Sequence, residues 1–116
     1  MLAVDVRRGL RQGCTVTQAA SRAWRYSEQT VAQHADFLLA FVDGGVCVGA
    51  FKIADSASDA DGGYVFELTP TPRFQWALGE RLPLPPGRNP ARILTGQHLR
   101  AFLDADPHYT PRPGQD

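Results

Sequence analysis

A chain of 116 residues and 12.7 kDa fits one domain, and 43% apolar against 21% charged residues excludes an intrinsically disordered protein. Twelve basic residues balance twelve acidic ones, which excludes a polyanion-coating protein or an acidic tail. No apolar run approaches the roughly 18 residues of a membrane span and no signal-peptide pattern opens the chain, so a cytoplasmic protein without membrane contact is expected.

Leu2–Leu10 alternates loosely and reads as a short strand. Thr15, three residues before Gln18, forms a capping-box pattern ahead of a helix over residues 17–25. Val16, Ala19, Ala20, Ala23 and Trp24 share one face of that helix, with Arg22 and Arg25 toward its rim. From Phe37 to Val42 the chain is continuously apolar. It closes on Asp43-Gly44-Gly45 and resumes as Val46–Ile53. Two β-rich runs around Asp-Gly-Gly predict a hairpin whose turn needs positive φ, with the first strand central and covered on both faces. Gly49 within the second run predicts a bulge or a close backbone approach.

Residues 54–63 read as a small-residue acidic loop (Asp55, Asp59, Asp61), and Tyr64–Thr69 as a third, alternating strand. Six of the nine prolines lie in residues 70–90, which predicts extended, turn-rich chain with at most a helical turn over 74–78. Asn89–Leu94 fits a last strand, and Thr95 a cap for a helix over Gly96–Asp104 that buries Leu99, Phe102 and Leu103. The division is a single α+β domain over 1–105 and a Pro-rich flexible tail over 106–116, with no internal repeats.

Charge is segregated although its sum is zero. Residues 1–25 carry +4, residues 26–67 carry −6, residues 68–103 carry +4 and residues 104–116 carry −2. A fold that joins the two basic segments would have one basic face; solvated arginines on unrelated surfaces are the alternative. Cys14 and Cys47 are expected as free thiols in a reducing compartment.

Enzyme patterns are thin. His34, His98 and His108 stand in separate segments without metal-ligand spacing, and no nucleophile elbow, P-loop or dinucleotide fingerprint occurs. Asp59-Ala60-Asp61-Gly62 lacks the carboxylate that would complete a calcium loop. A non-catalytic protein without cofactor or metal is expected.

Arginine beside aromatic residues is the better signal, because a guanidinium grips phosphate while a ring stacks on a base. Arg22-Ala23-Trp24-Arg25-Tyr26 is such a group. Arg73-Phe74-Gln75-Trp76 and Arg88-Asn89-Pro90-Ala91-Arg92 are similar in kind. Trp24 and Trp76 taken singly read more readily as packing residues than as stacking platforms.

Four features in order resemble a small bacterial domain of the PUA-like barrel kind. They are Ser21–Arg25, the strand-turn-strand from Asp43 to Ile53, the aromatic strand Tyr64-Val65-Phe66-Glu67, and Leu78–Pro83 followed by Asn89-Pro90-Ala91-Arg92. Two positions depart from that pattern: Arg25 replaces a second aromatic, and Ala54-Asp55 stands where a Trp would follow Ile53. Such domains occur alone or beside GIY-YIG-type nuclease domains, and PUA-like barrels bind RNA or modified bases in DNA. The resemblance implies a small bent antiparallel sheet or PUA-like barrel with short flanking helices. It also implies a DNA or RNA ligand and a nuclease or modification-enzyme partner.

The combined expectation is a nucleic-acid-binding module that recognises a base or a modified base. Trp24 would stack, Arg22, Arg25, Lys52 and Arg92 would meet phosphate, and Asn89 would offer its amide to a base edge. The alternative is a protein–protein adaptor that uses the Pro-rich 70–90 segment and the acidic 55–61 loop.

Overall fold

The computed structural model describes residues 1–107. Of the segment read as a tail, residues 108–116 lie outside the described residues, as does His108. The elements run β1 (Leu2–Asp5), α1 (Arg7–Arg11), α2 (Val16–Ser21), α3 (Glu28–His34), β2 (Phe37–Val42), β3 (Val46–Ser58), β4 (Tyr64–Pro70), β5 (Ala91–Ile93) and α4 (Gly96–Asp104). The strands form one five-stranded sheet in the order β4-β3-β2-β1-β5, an α+β arrangement.

Strand alternation divides the core in two. Leu2, Val4, Leu38, Ala40, Phe51 and Phe66 belong to one apolar cluster, with Ala19 and Ala20 of α2 and Val31 of α3. Ala3, Leu39, Phe41, Cys47 and Ala50 belong to the other, with Phe74, Ala77, Leu94 and Phe102. Since neighbouring side chains on a strand point to opposite faces, the continuous run of β2 is buried on both sides. Phe74 meets Phe37 edge-on at 5.1 Å, and Trp76 stacks on Phe102 at 4.9 Å, so Trp76 is a packing residue.

The expected hairpin is present: Gly44 and Gly45 both have φ near 75° and join β2 to an antiparallel β3. Register slips between Ala40 and Phe41, where Val48 is the extra residue next to Gly49. That bulge is why Cys47 and Ala50, three positions apart, point into the same core. The Cys47 thiol donates to the Gly49 carbonyl, and burial pushes its pKa up. Neither cysteine is in a disulfide.

The strand expected over Leu2–Leu10 ends at Asp5, with α1 after it, and other expectations are corrected too. The sheet is mixed rather than antiparallel, because β1 pairs parallel with β2. A parallel pair needs a long crossover, and α1 to α3 supply it. Helix α3 itself was not legible, since it buries only Val31, although Ser27 caps it by accepting from the Thr30 N–H. The capping box at Thr15 and Gln18 is present, but α2 ends at Ser21 and not at Arg25. Beyond it the chain is extended, and Trp24 forms an isolated antiparallel bridge with Tyr64. Finally, β3 continues through the supposed loop as far as Ser58, with a second bulge at Ala54.

The described strands do not close into a barrel, because the edge strands β4 and β5 do not pair with each other. The segment after α2 nevertheless touches both edge strands across the first core. Trp24 bridges to β4, and two residues later the Tyr26 hydroxyl reaches the Arg92 carbonyl of β5 at 2.8 Å and the Ala3 carbonyl of β1 at 3.3 Å. Burial raises the Tyr26 pKa, which keeps it neutral as the donor linking these strands. Among the described residues, no helix is long and apolar enough to cross a membrane.

Candidate functional site

A cleft of about 540 Å³ opens where α1, the end of α2 and the approach to β5 meet at the end of β1. Close packing shapes its floor. A Cβ on Gly9 would lie 2.5 Å from the Ala19 Cβ, so only glycine lets α1 and α2 approach this far. The Asp5 N–H donates to the Pro90 carbonyl at 2.9 Å, which holds residues 89–91 against β1 on the opposite wall. The lining is apolar at Val6, Ala19, Pro90 and Ala91, with arginines around it. A volume of this order, with few placed polar groups over an apolar floor, suits a small ligand or one residue of a polymer.

Of the expected site residues, Arg22, Trp24, Arg25 and Asn89 line this cleft together. Its arginines all come from the first basic segment; the second contributes Asn89 here and places Arg88 and Arg92 in a neighbouring concavity. Arg22 donates to the Gln12 Oε1 at 2.8 Å and to the Cys14 Sγ at 3.5 Å, so its guanidinium is oriented while remaining exposed. Trp24 is half-buried, packed on the first core, and its indole N–H donates to the Ala20 carbonyl at 2.7 Å. That bond satisfies a carbonyl at the end of α2 and leaves the ring as the part of Trp24 free to contact a ligand. The Asn89 Oδ1 accepts from the Ala91 N–H at 3.0 Å, which fixes the side chain and keeps its amide N–H groups available.

The other two expected residues lie elsewhere. Arg92 faces a neighbouring concavity of about 380 Å³ and donates to the carbonyls of Pro85 and Gly87, so it braces the loop before β5. Lys52, exposed on β3, pairs in register with Phe37 at the start of β2 and lines neither concavity. Strand alternation places it opposite Phe51 and the first core. Arg8 and Gln12 line the cleft but were not singled out in the sequence. The Arg7-Arg8 pair was the available signal, and only the turn of α1 shows which of the two faces inward.

The cleft's one carboxylate, Asp5, is already engaged. It accepts from the Arg7 backbone at 3.0 Å and from its guanidinium at 2.7 Å, and Arg7 also reaches Asp43. Burial pushes the Asp5 carboxyl up, but the hydrogen bonds and charge of Arg7, with Arg11 further off, outweigh it and hold its pKa below the usual value. Asp5 therefore stabilises the fold while ionised, and that contribution is lost as pH falls through the ordinary aspartate value of about 4 and below. Denaturant unfolding measured from pH 7 to pH 3 is expected to show Asp5→Asn destabilised at neutral pH and converging with wild type in acid. A difference independent of pH would contradict this.

Much of the Pro-rich segment is structural, since Phe74, Ala77 and Leu82 lie in the second core. Leu78 and Val65 are the large apolar residues left exposed among the described residues, and they are isolated. Among the described residues, no cluster of three or more His, Cys, Asp or Glu could hold a metal ion. Comparison with models of protein families, with curated proteins and with solved structures finds no match to this chain.

Proposed function

We propose that this domain is a non-catalytic nucleic-acid-binding module, with the cleft between α1, α2 and β5 as its site. One observation carries this reading: three arginines of the first basic segment ring an apolar floor beside a half-buried tryptophan, and the second basic segment brings Asn89 to that floor and Arg88 and Arg92 to the adjoining concavity. Three guanidiniums, Arg8, Arg22 and Arg25, face a single carboxylate that Arg7 already pairs. Such a site suits a ligand with a flat apolar body and phosphate on one side. Phosphate would meet Arg22 and Arg25, a base would lie against Trp24, and Asn89 would donate to a base edge. The resemblance to PUA-like barrels points the same way. A partner nuclease or modification enzyme in the same cytoplasm belongs to this reading.

The test is a salt-dependent titration of a fluorescent oligonucleotide. Wild type is expected to bind at low salt, with log K falling linearly against log salt. Arg22→Ala should flatten that slope by about 0.7 for a single strand or about 0.9 for a duplex, one phosphate contact's worth. No binding by wild type at low salt would reject the reading and leave the adaptor alternative in its place.

A further inference from the structure

Half of the chain's twelve cations, Arg7, Arg8, Arg22, Arg25, Arg88 and Arg92, line the cleft and the neighbouring 380 Å³ concavity, against only Asp5 and Asp43 of its twelve acids. The two concavities adjoin at Asp5 and Asn89, which line both. They differ in which cations are available. In the second, Arg7 is paired with Asp5 and Asp43, and Arg92 is tied to the Pro85 and Gly87 carbonyls. Arg88 is exposed and makes no hydrogen bond or ion pair among the described residues. At the opposite end of the cleft the β3–β4 turn approaches. A side chain at Gly62 would come 4.0 Å from the Arg25 guanidinium, and Asp59 and Asp61 stand in that same turn.

We infer that the ligand is a single strand that runs in one direction, from the cleft over Asn89 into the second concavity, where Arg88 takes a further phosphate. The inference rests on the nucleic-acid reading of the cleft. An acidic turn beside Arg25 disfavours a continuing phosphate chain, whereas the Asn89 end leads to an unpaired guanidinium. Two adjoining hollows of nucleotide scale admit unstacked nucleotides, which a stiff, fully paired duplex cannot supply. The strand's base would then stack beside Trp24 while its backbone crosses the Asn89 ridge.

Three probes test this: thymidine monophosphate, an oligothymidylate of about eight nucleotides, and the same oligonucleotide annealed to its complement. Wild type should bind the single strand at least several-fold tighter than the duplex. Arg88→Ala should weaken the single strand several-fold and flatten its salt slope by about 0.7, while leaving thymidine monophosphate unchanged. Arg22→Ala should weaken both the single strand and the mononucleotide. An unchanged slope in Arg88→Ala beside a flattened slope in Arg22→Ala would overturn the path and keep the cleft. Unchanged binding in Arg22→Ala would instead overturn the cleft reading beneath it. A duplex bound as tightly as the single strand would reject single-strand preference. Arg88 is exposed, so thermal melts of Arg88→Ala should match wild type.

Discussion

Phe74→Ala is expected to destabilise the protein by about 3–5 kcal/mol, lowering the melting temperature by roughly 10 °C or more in a domain of this size. The ring is 2% exposed and packs between Phe37, at 5.1 Å, and Phe102, at 5.5 Å. Removing it would leave a cavity bounded by β2, a central strand of the sheet, and α4. The wall of that cavity is thus poorly able to collapse, which puts the cost toward the upper end of the range. Arg73 lies over both the Phe37 and Phe74 rings, at 5.7 and 5.2 Å, and would lose this contact as well. Leu78→Ala, four residues on and 45% exposed, should change stability by no more than about 0.5 kcal/mol. Thermal or urea melts of the two variants check the pair. Equal effects would mean that the 70–90 segment is not anchored by its aromatic residue.

Trp24→Ala should weaken oligonucleotide binding by about 1–3 kcal/mol while leaving the salt slope unchanged. The indole carries no charge, so its loss removes stacking area without releasing counterions. The same change should cost about 2 kcal/mol of folding stability, from half-buried ring area and the bond to the Ala20 carbonyl. Trp24→Phe separates these two roles. It keeps an aromatic face but no indole donor, so it should recover most of the affinity and only part of the stability. A folded Trp24→Ala protein that binds with unaltered affinity would show the ring to be packing alone.

What could be read from the residues was local. The Thr15–Gln18 capping box, the Asp-Gly-Gly turn, the Gly49 bulge and the span of α4 each depend on neighbours within a few positions. Elements that long-range pairing sustains were misread. Helix α3 shows the core only Val31, so its periodicity is faint, and residues 54–58 become strand because β4 lies alongside them. The parallel β1–β2 pair could not be read at all, since no short-range signal reports which strand returns beside the first.

The candidate site divides along the same line. Residue chemistry alone marked Arg22, Trp24, Arg25 and Asn89, because guanidinium, indole and amide are the groups that meet phosphate and base. By itself the sequence also determined the segregation of charge into two basic segments, a property of composition along the chain. Whether those segments meet was decided only by the tertiary structure. The crossover brings α1 and α2 over the end of β1, and the antiparallel β5 returns Asn89 to the same place. Strand alternation then turned Arg92 and Lys52 away from the cleft, while the turn of α1 brought Arg8 in. Facing direction depends on register, and register is fixed by burial of the whole sheet rather than by any residue's own chemistry.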